Sequence, residues 1–484
     1  MRAPRLEMQD VVLDDAVGQD GSDPSGGAPA RTARGWWWPV AAGLVIVVGA
    51  AAVDADRLEA ARLATLAGIP GILAPIEGPV AELWRSDLSQ WLGQGDAAGQ
   101  VVGVRAGPDG SADVVGIDPV TGEAAWRAAA RRPGAVDGWV SCATPDAARS
   151  TDGPDATRLV ACVVADEVVI TAENTAGYVY SPARSRLLVV DPTTGAVLSD
   201  APTDPSTSVA AIGADLLFSR VDDAGRVHVA RTGGRGAADR WTFTSPEPLP
   251  VDDFRQRVAT VTVVDGLVVV DAGSTWVLSG TGEILARWNP GPMSDLGGRV
   301  EVVGGGRLIA KPAVTDGGAA RTEVLDPVSG RSFTAMGRPS RPAVDDGSLA
   351  DLLLMQSRSS GDLVAHDLFS GRLRWTSPGG SAGVLVIAGR VVRAVGDELR
   401  SIDGRTGETV WTTPIRPSTQ SSLATDGQVV LLPEEDPDLG LVLAAYGLDD
   451  GWPRWRADVA DDLYPFAMAG RLYGASERGL VALG

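Results

Sequence analysis

Ten residues, Ile402-Asp403-Gly404-Arg405-Thr406-Gly407-Glu408-Thr409-Val410-Trp411, recur in outline from residue 117 to residue 455, and only a repeat architecture accommodates that. The frame reads as a hairpin in which a strand ends at Asp403, four residues turn the chain, and a second strand carries Trp411. The Asp403 carboxylate is suited to accept backbone N–H groups inside the turn, and Gly407 to take the positive φ that closes it. Trp411 lies four residues beyond Gly407. Strand alternation then puts Gly407, Thr409 and Trp411 on one face, with a large apolar ring at a fixed height on each outer strand.

The same spacing returns at Asp118, Thr121, Gly122 and Trp126, and at Asp367, Ser370, Gly371 and Trp375. Gly451 and Trp455 keep the interval without the aspartate. Asp191, Thr194, Gly195 and Asp326, Ser329, Gly330 keep the turn without the tryptophan, with Leu198 and Phe333 as apolar substitutes. Weaker copies lie at Gly282 with Trp288 and at Gly233 with Trp241. From Gly282 onward the turn glycines are 48, 41, 36 and 44 residues apart, the period of a four-stranded blade.

With this signature, Asp-x-x-Thr-Gly-x-x-x-Trp, the chain resembles the PQQ-like (quinoprotein-type) β-propeller repeat family over residues 80–484. The resemblance implies an all-β propeller of four-stranded blades. It leaves the activity open, because the family holds both quinone-dependent dehydrogenases and non-enzymatic scaffolds. Seven full four-strand cycles can be laid out, and a strand near Trp84 or Trp126 is expected to complete the last blade. Eight blades are therefore expected, with seven as the alternative. Trp84 and Trp126 are 42 residues apart, so a literal count reaches nine, and one of the two is expected outside the ladder.

The net charge is −20, from 42 Lys plus Arg against 62 Asp plus Glu, and Lys311 is the single lysine. Such an acidic surface repels phosphate backbones, which argues against nucleic acid as a partner. The preference for arginine fits the codon bias of a high-GC, actinobacterial type of genome.

Residues 1–35 are polar and acidic and are expected to form a disordered cytoplasmic tail. Residues 36–53 contain no charge, begin with Trp36, Trp37 and Trp38, and follow Arg31 and Arg34. They are read as one transmembrane helix with the propeller extracytoplasmic, the alternative being a cleaved signal peptide. Residues 54–79 read as a juxtamembrane helix and a Pro/Gly linker, a stiff spacer between membrane and propeller. Cys142 and Cys162 sit in neighbouring strand-like runs, and outside the cell they are expected to form a disulfide.

The search for chemistry yields no catalytic, cofactor or metal residue. His228 and His366 lack partners at metal-ligand spacing, and no zinc or haem motif occurs. Gly379-Gly380-Ser381-Ala382-Gly383 matches a nucleophile elbow, but no histidine follows it. Acidic residues at Asp345, Asp346 and at Glu434, Glu435, Asp436, Asp438 are read as solvated loops, with calcium the alternative. Quinoprotein dehydrogenases hold PQQ with a calcium-bound carboxylate set and vicinal cysteines, and this chain has no adjacent cysteines. The expected function is a binding or scaffolding module for an extracytoplasmic protein or cell-envelope ligand. The alternative is an enzyme, quinone-dependent or otherwise, with its site at the propeller channel.

Overall fold

The computed structural model describes residues 57, 60–91, 99–134, 138–144, 159–173, 177–213, 215–233, 239–249, 259–288, 300–313, 321–357, 360–418, 422–460 and 462–484, with only the backbone described at 168–182, 312, 313, 381 and 382. The chain divides into two compact units, Met1–Ala61 and Arg62–Gly484. Of the first, residues 57, 60 and 61 are described, all helical. The expected tail (1–35) and membrane segment (36–53) lie outside the described residues, and no described helix is long and apolar enough to cross a membrane.

The second unit is a β-propeller, and it corrects the expected blade count: nine sheets are present among the described residues, not eight or seven. Blade 1 spans residues 90–131, blade 2 residues 139–203, blade 3 residues 208–244, blade 4 residues 260–288 and blade 5 residues 301–336. Blade 6 spans 338–377, blade 7 381–414 and blade 8 424–458. Blade 9 takes Tyr464–Met468, Arg471–Ser476 and Gly479–Leu483 from the end of the chain and Glu82–Ser86 from its beginning. That pairing is antiparallel, with Trp84 opposite Ala482 and Arg85 opposite Val481. Both tryptophans in question thus belong to the ladder: Trp84 closes blade 9, and Trp126 lies on the outer strand of blade 1.

Neighbouring blades are joined by the recurring indole. Five rings reach across to the turn of the next blade and lie on its glycine, while their N–H groups donate to a carbonyl there. Trp84 bonds Pro119 O (3.1 Å), Trp126 bonds Pro192 O (2.6 Å), Trp241 bonds Gly280 O (2.9 Å), Trp375 bonds Gly404 O (2.7 Å) and Trp411 bonds Leu448 O (3.2 Å). A Cβ at Gly407 would sit 2.6 Å from Trp375 Cβ, and φ there is 79°, so glycine is required twice over.

A β-bulge precedes the indole position in eight of the nine sheets. In blade 7, Thr409 pairs with Ile402 and Trp411 with Ser401, leaving Val410 extra. Simple alternation therefore fails: the bulge turns Trp411 to the face opposite Thr409. Blade 5 has no bulge, and its ring comes one residue sooner, with Phe333 opposite Val324 and packed on Gly371 of blade 6. In blade 2 the position belongs to Ser199, opposite Val189, whereas Leu198 is 45% exposed and substitutes for nothing. In blade 4 it belongs to Ala286, not Trp288, and Gly330 in the next turn accordingly meets no atom within 4 Å of an added Cβ.

Residues within the expected spacer pack on the propeller. Leu66, Ile72 and Leu73 are buried, and Leu66 and Ile72 share a core cluster with Val344, Leu385 and Leu423. Ile72 forms a parallel bridge to Thr425, Leu73 N–H donates to Thr425 O (2.9 Å), and Ala74 N–H donates to Gly470 O (2.7 Å). The chain thus crosses the inner ends of blades 8 and 9 before entering the outer strand Glu82–Ser86.

Candidate functional site

The repeat residues build turns. Asp403 Oδ1 accepts the N–H groups of Arg405 and Thr406, both at 2.9 Å, and Asp118, Asp326 and Asp367 do the same in their own turns. Asp191 accepts the N–H of Thr193. Four of these carboxyls are held below the usual range by the turn: the Thr406 N–H acts most on Asp403 and the Val120 N–H on Asp118, while the Ser329 and Ser370 hydroxyls lead at Asp326 and Asp367. Gly122, Gly195, Gly330, Gly371, Gly407 and Gly451 all have positive φ. Trp126 and Trp375 are buried between blades; Trp411 and Trp455 are partly buried against core clusters. The repeat positions are architecture, distributed around the ring rather than gathered into a site.

Cys142 and Cys162 form a disulfide, at directly paired positions on the first two strands of blade 2. The polar loop between them, Pro145 to Thr157, lies outside the described residues.

A concave feature with room for a ligand is the central channel. A cavity of about 890 Å³ is bordered by the inner strands of blades 1 to 6, from Trp91, Cys142 and Thr144 through Val209–Gly213 and Thr260–Gly266 to Glu301, Pro339 and Arg341. Its walls are mainly threonine, valine, alanine and backbone. Asp265, Asp271 and Glu301 give it a negative bias against one guanidinium, Arg341, which pairs with Glu301 at 3.0 Å. A second cleft of about 430 Å³ lies between blades 2 and 3, the junction where Ser199 stands in place of an indole, and Leu187, Phe218, Arg220 and His228 line it.

Neither histidine borders the channel cavity. His228 Nε2 lies 2.7 Å from Asp222 Oδ2, with Thr244 Oγ1 on its other nitrogen, and His366 is buried with Nδ1 3.0 Å from Gly371 O. Ser381 begins the inner strand of blade 7, so its glycines border a strand, not a strand-to-helix elbow. Asp345 and Asp346 cap the N–H groups of Gly347 and Ser348.

The reading of Glu434 as a solvated loop residue is corrected. It lies in strand Val429–Asp436, is buried, accepts the Tyr446 hydroxyl at 2.5 Å and pairs with Arg456 at 3.0 Å. Burial, with Glu434 adding to it, pushes the Tyr446 hydroxyl up to about 12. Arg393, which the sequence did not single out, is fully buried; its guanidinium donates to Ser377 O (3.0 Å) and to Gly379 O, and burial brings it down to about 10. A charged residue set among Val391, Val392, Ala394 and Val395 was the available signal. Both groups brace blades and stand apart from the cavity lining.

Among the described residues no three His, Cys, Asp or Glu side chains converge on a metal position. The cysteines pair across strands instead of lying side by side in sequence.

Residues 318–464 match a family model described as Outer membrane protein assembly factor BamB. No curated protein matches the chain. Among solved structures, BamB from Moraxella catarrhalis is similar at 15% identity and a TM-score of 0.38, covering 84% of this chain and 99% of that one. Dihydro-heme d1 dehydrogenase NirN in complex with DHE is similar at 15% identity and 0.38, covering 81% and 78%. A eukaryotic initiation factor is similar at 12% and 0.46, covering 81% and 90%. At these scores the likenesses carry no argument about function. The turn-and-indole unit and the four-stranded blades make the chain a β-propeller, and over residues 318–464 it matches the PQQ-like repeat family.

Proposed function

We propose that this protein is a membrane-anchored, extracytoplasmic propeller that binds and positions a protein partner. The observation that carries the reading is the channel: a cavity of about 890 Å³ walled by strand backbone, threonine and valine, with one ion pair and no converging set of acid, base and nucleophile among the described residues. Such a wall is equipped to recognise and not to transform. The family match to an assembly factor over residues 318–464 favours a protein as the ligand. The uncharged segment 36–53, with arginines before it and aspartates after it, supports the anchor and its orientation. The Cys142–Cys162 disulfide fits an oxidising compartment.

Two arms test this. Protease added to intact cells should digest chain beyond residue 54 and spare the first 35 residues; protection of the propeller contradicts the orientation. Reversible cross-linking of the full-length protein in its own membranes should recover a partner protein at near-constant stoichiometry. Recovery of none, together with dye reduction by the protein given PQQ and calcium, would replace the binding module with a dehydrogenase.

A further inference from the structure

We propose that the channel binds an extended polypeptide segment as an added β-strand along the inner edges of blades 3 and 4. This rests on the reading of the protein as a binding module and names where and how it binds.

Within the four strands of its own blade, each innermost strand pairs with a neighbour on one side only. At one of the nine edges this chain already supplies a short extra strand of its own, and at another a single parallel bridge. Val344–Asp345 lies parallel to Leu385–Val386 on the inner edge of blade 7, and Ile72 bridges Thr425 in the parallel sense on that of blade 8. Inner edges of this ring are therefore competent to take a parallel strand, and the two occupied ones lie outside the cavity lining. The edges of blades 3 and 4 face it. Every residue of Val209–Gly213 and of Thr260–Gly266 borders the cavity, so backbone as well as alternate side chains is presented. The two strands approach at one end, where Ser208 Oγ accepts the Val261 N–H at 3.4 Å, so that donor belongs to the propeller and not to the ligand.

The chemistry of the occupant follows from the walls. A five-residue inner strand spans roughly 17 Å, enough for a segment of about five to seven residues. Thr260 and Thr262, exposed on the inner strand of blade 4, favour small or β-branched side chains opposite them. Three carboxylates against one guanidinium favour a neutral or basic segment over an acidic one.

The test uses the purified full-length protein and fluorescent peptides of about seven residues. One alternates threonine and valine between terminal lysines, a second carries glutamates in place of the lysines, and a third has proline at its centre. Saturable binding of the lysine peptide is expected, about tenfold weaker for the glutamate peptide and lost with proline, which cannot donate to a ladder. Thr262→Trp and Thr260→Trp, at exposed positions that border the cavity, should each weaken binding about tenfold or more while the melting temperature holds. Absence of peptide binding, equal binding of the proline peptide, or indifference to both substitutions overturns the proposal. A cross-linked partner still recovered with Thr262→Trp protein would sink the channel strand alone and leave the binding module standing.

Discussion

Trp375 shows what one residue contributes to this ring. Its indole is buried, its N–H is held by Gly404 O, and its Cβ lies against Gly407 of the next blade, so truncation removes packing and a hydrogen bond at one junction. Trp375→Ala should cost about 3–5 kcal/mol in chemical denaturation. Trp452→Ala, at a site 69% exposed, should stay within about 0.5 kcal/mol. The turn aspartates set the response to acid. Asp403, Asp118, Asp326 and Asp367 ionise below the ordinary aspartate value of 3.8 when folded, so the unfolded chain binds more protons in acid. Their contribution is complete above that value and is lost as pH falls through the folded values. Melting temperature should drop between about pH 4 and pH 2, and less steeply in Asp403→Asn protein, whose turn no longer titrates. Aspartate, glycine and tryptophan were legible in the sequence because their spacing repeats. Ser199, Ala286 and Glu434 were not: which side chain fills a junction or is buried depends on pairing register and on strands far away in the chain.

At the scale of elements, the indole of one blade and the glycine of the next form a single joint. Gly407→Ala must accommodate a Cβ 2.6 Å from Trp375, whereas Gly330→Ala faces open space because Ala286 stands where an indole would be. Both pay for a positive φ, so the difference in their unfolding free energies isolates the joint, and Gly407→Ala should be the more destabilising. The bulge explains why Gly-x-x-x-Trp and the shorter Gly-x-x-Phe of blade 5 place their rings alike, a compensation visible only in the ladder. The strap over blades 8 and 9 is a second element whose role pattern alone did not reveal. Prolines and glycines mark residues 68–79 as irregular, yet Leu66, Ile72 and Leu73 are buried in the propeller. Ile72→Ala should cost about 2–5 kcal/mol, measured by denaturation; a free spacer would show no change.

For the whole molecule, the four-stranded repeat and its propeller were readable from the period, and the channel was not, because its lining comes from inner strands outside the signature. Blade number depended on how the ends meet. Glu82–Ser86 lies almost 400 residues from its partner Gly479–Leu483, and no local pattern reports that pairing. Closure removes the ring's open edges and places the strap, the strand of blade 9 and the channel wall in one fixed frame. Everything proposed for the channel depends on that ring being shut. Cysteines introduced at Glu82 and Leu483, directly paired positions on the closing strands, test it in the full-length protein. Under mild oxidation, mass spectrometry should find the two peptides joined within one chain; a closing strand that stays uncrosslinked, or joins only between chains, would contradict the closed ring.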